Sequence, residues 1–290
     1  MRILSTLKFI LNHPLNRKHK LKALGRLIKW QVNCFLNPYP IIYSFTSNSK
    51  LIIKKGMTGA TGNLYCGLHE FEDMGFLLHF LRPEDTFVDI GANIGSYTIL
   101  ASAEVGAKSF SFEPIPQTFQ NLVNNISINQ IGEKVNCYNI GLGSEKKVLK
   151  FTNNLDTVNH ITQSNEQDGI DVQVDRLDDI IKDIVPTLIK IDVEGYETEV
   201  IKGGLKSILN SQVVIIELNG SGFKYGFDEK EIFNFFINNG FLPYSYNPIN
   251  RIIKKIDNFG SQNTIFIKNE KFVKERLIDV KKININNLEF

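Results

Sequence analysis

The stretch that decides the fold is residues 86–100, Thr86-Phe-Val-Asp-Ile-Gly-Ala-Asn-Ile-Gly-Ser-Tyr-Thr-Ile-Leu100. Its first five residues form a short apolar run with β-branched side chains, bounded by Pro83 and Gly91, which is typical of a buried parallel strand. The glycine-rich residues that follow predict a turn, and from Ser96 the apolar positions have helical spacing. Strand, turn and helix in this order predict a nucleotide-type ligand site at the carboxyl end of the strand.

The glycine spacing and one carboxylate narrow the choice of ligand. The dinucleotide fingerprint G-x-G-x-x-G cradles a pyrophosphate, whereas this turn has the spacing G-x-x-x-G from Gly91 to Gly95, with Asn93 between them. Asp89 at the strand tip would repel a diphosphate but suits a ligand that carries an ammonium and a sulfonium group. S-adenosylmethionine is such a ligand, so we predict that these four residues contact it.

Further contacts to this cofactor are predicted at neighbouring strand ends. Glu113 closes the next apolar run, where an acidic residue about 20 positions after the turn holds an unphosphorylated ribose. Gly141 and Leu142 begin a second glycine-rich turn, predicted to lie against the adenine. Glu70, at the start of a predicted helix over residues 69–81, is expected to face the cofactor turn.

Length and composition are those of one α/β domain with an extension. The chain has 290 residues, of which 42% are hydrophobic, and this content is globular rather than disordered. Three widely spaced cysteines without a nearby histidine cluster indicate neither a disulfide framework nor a metal site and favour a reducing cytoplasm. No apolar run has the length of a membrane span, and the N-terminus lacks the pattern of a signal peptide.

The net charge of +2 conceals a strong asymmetry. Eleven Lys and Arg residues and no acidic residue precede Glu70, so the remainder of the chain carries a net charge of −9. The second half of residues 1–32 has the pattern of a basic amphipathic helix. We favour packing of this helix on its own domain with a solvated basic face, slightly above contact with an anionic membrane surface. No aromatic side chains of the kind that stack nucleobases accompany the charges, so no nucleic-acid partner is predicted.

Other segments are predicted from turn residues and alternation. Residues 41–45 and 50–54 predict a β-hairpin, and the four glycines within residues 56–67 predict a flexible loop or lid near the site. Residues 147–152 and 170–174 predict a hairpin-like excursion that encloses a polar loop over residues 153–168.

A second chemical stretch, Thr187-Leu-Ile-Lys-Ile-Asp-Val-Glu-Gly-Tyr196, predicts a strand beside the first that ends in two carboxylates. An alcohol is a weak nucleophile until a base accepts its proton, and Asp192 and Glu194 are the best-placed bases. Our hypothesis is that Asp192 faces the methyl donor or acceptor and that Glu194 holds the acceptor, unless Glu194 only caps the following helix. His160 in the polar loop is the next candidate, and no metal ligands are predicted.

Two further charged residues near these strand ends are interpreted as structural. Lys190 in a buried strand requires an acidic partner, so an ion pair is expected of it rather than catalysis. Glu217 at the end of the fifth predicted strand either contacts substrate or caps a turn, and we favour the turn.

Four motifs together resemble the FkbM-type family of class I S-adenosylmethionine-dependent methyltransferases. They are the sequences of residues 87–98, 111–114, 139–144 and 188–197, within a likeness that covers residues 70–245. The resemblance implies a Rossmann-like, doubly wound, mostly parallel α/β sheet of seven strands in the order 3-2-1-4-5-7-6, and methyl transfer to an alcohol oxygen. Residues 1–69 lie outside the likeness, so acceptor choice is expected to depend on them and on the 153–168 loop.

These inferences divide the chain into a basic helical and β-hairpin extension (1–69), a methyltransferase domain (70–268) and a C-terminal tail (269–290), which either packs at an interface or frays. The predicted function is S-adenosylmethionine-dependent O-methylation of a hydroxyl on a sugar, polysaccharide or related natural product. The alternatives are a nicotinamide-dependent oxidoreductase and a cofactor-binding module without catalysis. The expected location is the cytoplasm, with peripheral contact to the inner face of the membrane as an alternative, and no oligomeric state is indicated.

Overall fold

The computed structural model describes residues 2–153, 159–162, 169–260, 263–278, 280, 282–285 and 288–290. The chain begins with two helices, a hairpin and a third helix: α1 (Arg2–Asn12), α2 (Lys20–Leu36), β1 (Ile41–Ser44), β2 (Lys50–Ile53) and α3 (Thr58–Cys66). Helix α2 packs between α1 and α3, with Ala23 and Trp30 buried on its inner side. No helix in the described part of the chain combines the length and apolar character needed to cross a membrane.

The prediction of a flexible loop over residues 56–67 is wrong, because nine of these residues form α3. Its glycines serve close packing: a Cβ on Gly62 would lie 2.7 Å from Cγ of His69. The side chain of Asn63 fixes the exit of the helix, since its Oδ1 accepts a hydrogen bond from the backbone N–H of His69 at 2.8 Å. Such buried contacts between α3 and His69 outweigh the low helix propensity of glycine.

The middle of the chain alternates helices and strands as a doubly wound fold requires. Its elements are α4 (Phe71–Phe80), β3 (Thr86–Ile90), α5 (Ser96–Ile99), which continues as a π-helical turn over Leu100–Val105, β4 (Lys108–Phe112), α6 (Pro116–Ile128) and β5 (Val135–Tyr138). An excursion follows, made of β6 (Gly141–Leu142), β7 (Lys147–Phe151) and β8 (Ile170–Asp175), in which β8 lies between the other two strands. The antiparallel pairing of β7 with β8 confirms the predicted hairpin-like excursion.

The second half completes the sheet. Its elements are α7 (Leu177–Ile181), β9 (Leu188–Ile191), α8 (Glu197–Gly203), α9 (Leu205–Asn210), β10 (Val213–Glu217), a 3-10 turn (Ser221–Tyr225), α10 (Glu229–Asn238), β11 (Leu242–Asn247), β12 (Ile252–Lys255), β13 (Asn263–Ile267), α11 (Glu270–Ile278), β14 (Asn284–Ile285) and β15 (Leu288–Glu289).

The central sheet is a Rossmann-like α/β sheet with the strand order β12-β11-β13-β10-β9-β3-β4-β5. Strands β10, β9, β3, β4 and β5 are parallel, and β13 is antiparallel to both of its neighbours. The predicted number of seven strands is wrong, because β12 adds an eighth at the edge. This strand was missed because only Ile253 of its four residues is buried, and because the turn before it depends on Arg251 at a φ of +56°.

The core lies on both faces of the sheet. In β3, Phe87 packs into the apolar cluster beneath α4 and α5, while Val88 and Ile90 pack into the cluster on the opposite face. This alternation buries the four residues of β3 that follow Thr86 and leaves its carboxyl end as the point from which side chains can reach a ligand.

Candidate functional site

A cavity of about 270 Å³ lies at the carboxyl ends of β3, β4, β9 and β10. The strand order reverses between β3 and β9, so the cavity occupies the switch point where open α/β sheets bind ligands. Within the described part of the chain, its wall carries one lysine, Lys190, against six carboxyl groups, which belong to Glu70, Asp89, Glu113, Asp192, Glu194 and Glu217.

The turn after β3 brings the backbone of two strands together. Gly91 has a φ of +77°, and a Cβ there would lie 2.9 Å from the carbonyl carbon of Asp192. Gly95 has a φ of +88° and faces the side chain of Leu122, while Asn93 adopts a φ of +51°. Gly91 and Asn93 line the cavity, whereas Gly95 sets the approach of α5 to α6.

Asp89 is buried beneath this turn, with 1% of its surface exposed. Its Oδ2 accepts hydrogen bonds from the backbone N–H of Thr98 at 3.1 Å and from Oγ1 of Thr98 at 2.6 Å. Its Oδ1 is buried and accepts no hydrogen bond from any residue that the structure describes. Burial raises the pKa of Asp89. One oxygen of this cavity carboxyl group therefore still has its capacity to accept a hydrogen bond.

Glu113 links the glycine-rich turn after β3 to the loop that follows β4. Its Oε2 accepts a hydrogen bond from the backbone N–H of Asn93 at 2.9 Å, and its Oε1 accepts one from the N–H of Ile115 at 2.9 Å. Burial raises the pKa of Glu113 to about 7. Each carboxylate oxygen has a second lone pair, so Glu113 can accept further hydrogen bonds while it holds the two loops.

Glu70 faces the cavity from the start of α4 and contacts the helix after the turn. Its Oε2 accepts a hydrogen bond from the hydroxyl of Tyr97 at 2.7 Å, and its Oε1 accepts one from Nδ2 of Asn263 at 3.3 Å. The structure thus places Glu70 beside the helix that follows the glycine-rich turn, as part of the cavity wall.

Gly141 and Leu142 line the cavity, but the prediction that they begin a turn is wrong. They form β6, which pairs in parallel with Val174 and Asp175 of β8. The excursion built by β7 and β8 supplies a backbone partner that the local sequence of residues 141–144 does not reveal. Two buried residues with extended backbone therefore form this wall.

Asp192 follows β9 and is paired with the buried Lys190. Its Oδ2 lies 2.7 Å from Nζ of Lys190, which confirms the predicted ion pair. Burial alone would lower the pKa of Lys190, but the carboxylates around it outweigh burial and raise its pKa. The ammonium group also lies 4.8 Å from the ring centroid of Tyr97. Lys190 therefore stays charged in the acidic cavity and fixes Asp192.

Glu194 lies in the turn after Asp192 with a φ of +56°. The carboxylate that bonds the backbone before α8 belongs to Glu197, whose Oε1 accepts hydrogen bonds from the N–H groups of Val193 and Gly195, both at 3.2 Å. Glu194 instead lines the cavity. Burial and the nearby charge of Asp192 raise the pKa of Glu194 to about 7.

Glu217 completes a group of three carboxyls at the ends of β9 and β10. Asp192, Glu194 and Glu217 each place one oxygen within 4.8 Å of the other two. Burial, followed by the charges of Asp192 and Glu194, raises the pKa of Glu217 to about 9, and Glu217 also shares a hydrogen bond with Asp192. At neutral pH Glu217 is therefore protonated and donates to Asp192. These oxygens are also ligands that a hard divalent cation accepts, a grouping that the sequence did not predict.

His160 does not line the cavity, although its neighbour Asn159 does. Its backbone N–H donates a hydrogen bond to Oγ1 of Thr152 at 3.0 Å. Part of the predicted polar loop, residues 154–158 and 163–168, lies outside the described residues.

Sequence reasoning missed the roles of Tyr97 and Thr98, which it interpreted only as positions on a helix. Tyr97 links Glu70 to Lys190, and Thr98 supplies both hydrogen bonds to Asp89. The role of Thr98 could have been predicted, because a buried carboxylate at a strand tip requires hydrogen-bond donors and the following helix is the nearest source of them. No local signal exists for Tyr97, since its partners come from α4 and β9.

This fold and this cavity define a Rossmann-like α/β protein with an acidic cavity at the sheet switch point. Within that class, the chain belongs to the FkbM methyltransferase family: the model of the methyltransferase FkbM domain matches residues 89–243. The matched segment begins at Asp89 and includes the strand ends that form the cavity.

Curated relatives and a solved structure are methyltransferases by name. The chain is 27% identical over 159 residues to the hexuronic acid methyltransferase AglP of Haloferax volcanii, covering 54% of this chain and 63% of AglP. It is 30% identical over 148 residues to methyltransferase 1 of Beauveria bassiana, covering 42% and 59%. The chain thus matches less than two thirds of the length of these relatives. A crystal structure of methyltransferase FkbM from Methylobacillus flagellatus has a TM-score of 0.46 and 19% identity, covering 71% of this chain and 52% of that chain.

Proposed function

We propose that this methyltransferase transfers the methyl group of S-adenosylmethionine to a hydroxyl oxygen of a saccharide or a related natural product. The observation that carries the proposal is the acidic lining of the cavity, in which five carboxyl groups and the protonated Glu217 face one lysine among the described residues. A site of this charge favours a ligand with a sulfonium and an ammonium group and disfavours a pyrophosphate.

The residues around the turn fit this cofactor. Oδ1 of Asp89, which has no hydrogen-bond partner among the described residues, offers an acceptor to a cationic donor, and Glu113 retains lone pairs for the hydroxyls of a ribose. Glu70 adds a third carboxylate to the same wall, and the extended backbone at Gly141 and Leu142 offers a surface for a flat base. When bound, S-adenosylmethionine supplies a methyl group that its positively charged sulfur makes electrophilic.

The chain's own contribution is to orient the acceptor and to remove its proton. Glu194 is the favoured proton acceptor, because its pKa of about 7 makes it both ionised and basic near neutral pH. Asp192 forms an ion pair with Lys190 and accepts a hydrogen bond from the protonated Glu217. We therefore propose that Asp192 positions the reacting groups. His160 lies outside the cavity lining, so we assign it no direct contact with the reacting groups.

The proposal of a saccharide acceptor is supported by a curated relative and by the carboxyl groups of the cavity. AglP is by name a hexuronic acid methyltransferase, and this favours a saccharide acceptor. The carboxyl groups around Glu194 offer hydrogen-bond acceptors to the several hydroxyls of a sugar ring.

The experiment is a methyl-transfer assay with the full chain. The protein is incubated with S-adenosylmethionine labelled in its methyl group and with hexoses, hexuronic acids and their oligosaccharides, and products are identified by mass spectrometry. We expect label in a methyl ether of at least one saccharide. Cofactor binding without transfer to any acceptor would favour a binding module, and hydride transfer with a nicotinamide cofactor would favour the oxidoreductase alternative.

A further inference from the structure

The outer side of α2 carries a stripe of exposed apolar side chains that continues beyond the end of the helix. Each is between 51% and 88% exposed: Leu21, Ile28, Val32, Phe35, Leu36 and Tyr39. The spacing of the first four places them on one side of the helix. Gly25 lies in the same row, and a Cβ on it would meet no atom of the described residues within 4 Å. This outer stripe is therefore open along its whole length.

The opposite side of α2 is anchored to the protein. Ala23 and Trp30 are buried, and Nη2 of Arg26 donates to the backbone oxygen of Tyr65 in α3 at 2.9 Å. The sequence analysis favoured a basic amphipathic helix that packs on its own domain and exposes its basic face to solvent. The inner side does pack there, but the outer side is apolar at its centre, which a purely solvated helix does not require.

Basic residues flank the outer stripe. Lys18, Lys20, Lys22 and Lys29 are exposed, and no acidic residue occurs in the chain before Glu70. A second copy of the chain on this face would bring two such basic surfaces together, which is electrostatically unfavourable. A surface with dense negative charge over an apolar layer complements both features.

We propose that α2 docks this protein onto an anionic lipid bilayer, with the outer stripe in the interface and the flanking lysines against the headgroups. The helix lies in the plane of the membrane because its inner side remains packed on α1 and α3. Helix α3 joins this face to the cavity, since Thr58 and Gly59 at its start line the cavity wall and Tyr65 near its end contacts α2.

The experiment is co-sedimentation of the full chain with vesicles of phosphatidylcholine alone and with phosphatidylserine added. One variant combines Leu21→Ser, Ile28→Ser and Phe35→Ser, and a second combines Lys18→Gln, Lys22→Gln and Lys29→Gln. The matched control for the first variant is Val185→Ser, Ile252→Ser and Ile278→Ser, because these residues are apolar and exposed elsewhere. Circular dichroism and thermal unfolding verify that each variant is folded.

We expect binding only to the anionic vesicles, with loss on addition of salt. The lysine variant should bind about 100-fold more weakly, since each lysine near the surface contributes a severalfold factor. The stripe variant should lose binding to a similar degree, and the matched control should bind as the unaltered chain does. Absence of binding to anionic vesicles, or equal binding by the folded stripe variant, would overturn the proposal. A dimer in light scattering that dissociates in the stripe variant, without vesicle binding, would assign the face to a second copy and would also overturn it.

Discussion

Asp192, Glu194 and Glu217 carry the same functional group in very different surroundings. Asp192 is paired with Lys190, whereas burial raises the pKa of Glu217 to about 9 and the pKa of Glu194 to about 7. Environment rather than residue type therefore gives each carboxyl group its role. The sequence located two of the three as catalytic candidates, but protonation depends on contacts between β9 and β10 that only the fold provides.

The first prediction concerns the proton acceptor. Glu194→Gln removes the base but keeps the shape of the side chain, so we expect turnover to fall by about 10² to 10⁴ while cofactor affinity changes little. In the unaltered protein, Glu194 acts only when ionised. Turnover should therefore rise with pH up to about 7 and stay level above it. The variant should lose this rising limb in a pH series of methyl-transfer rates.

Glu217→Gln is the matched control for this substitution. A protonated Glu217 donates a hydrogen bond to Asp192, and a glutamine amide can do the same, so turnover should stay within about tenfold of the unaltered rate. If Glu217→Gln abolishes turnover and Glu194→Gln does not, the two roles are reversed.

The second prediction concerns the tight turn. Gly91→Ala introduces a Cβ against the carbonyl group of Asp192 at a φ of +77°, so both strain and overlap result. Gly226 has a φ of +78° with nothing within 4 Å, so Gly226→Ala introduces the strain alone. We expect about 1 kcal/mol of lost stability for Gly226→Ala and roughly 3 kcal/mol or more for Gly91→Ala, measured by urea unfolding. Equal losses of stability in the two variants would show that the close approach of Gly91 to Asp192 does not add to the cost of the substitution.

At the scale of elements, buried apolar runs were enough to predict the parallel strands, because β3, β4 and β9 are bounded by turn residues and are buried at every position except Thr86 and Lys108. Helix α3 and strand β12 were missed for opposite reasons. Helix α3 contains glycines that allow close packing against His69, and β12 is an edge strand with one buried residue. Their stability comes from tertiary contacts, which leave little trace in local sequence. The strand-tip residues of the site could be predicted, whereas Tyr97 could not, since its partners are distant in the chain.

The C-terminal helix α11 shows what holds a predicted tail in place. Arg276 forms an ion pair with Asp85 through both of its terminal nitrogens, and its backbone oxygen accepts a hydrogen bond from Nη2 of Arg82 at 2.7 Å. Val273 and Leu277 are buried on the same side, and Phe290 at the end of the chain is 4% exposed. Helix α11 packs onto α4 of the same chain and does not fray, while contact of the tail with another molecule stays a prediction.

The third prediction tests this anchor. Arg276→Ala leaves the buried carboxylate of Asp85 without its main counter-charge, so we expect about 3 kcal/mol of lost stability in urea unfolding. Lys274→Ala is the control in the same helix, because the pair of Lys274 with Glu270 is exposed and contributes at most about 1 kcal/mol. Similar losses for the two variants would mean that the pair of Arg276 with Asp85 does not anchor α11.

At the scale of the whole molecule, an N-terminal segment without acidic residues precedes a domain with an acidic cavity. The first 69 positions contain eleven basic residues and no acidic residue, whereas all 31 acidic residues lie in the remainder, where six of the described ones line the cavity. A cationic cofactor and an anionic surface would therefore be attracted to different parts of the protein. This separation lets the two proposals be tested independently, because substitutions on α2 leave the cavity residues unchanged.

The acidic cavity is the central claim, and isothermal titration calorimetry tests it most directly. The full chain and its Asp89→Asn variant are titrated with S-adenosylmethionine, with its demethylated product and with NAD⁺ under the same conditions. We predict that S-adenosylmethionine and its product bind to the unaltered chain, that Asp89→Asn weakens S-adenosylmethionine binding about tenfold or more, and that NAD⁺ produces no heat of binding. Binding of NAD⁺ without binding of either adenosyl ligand would contradict the account.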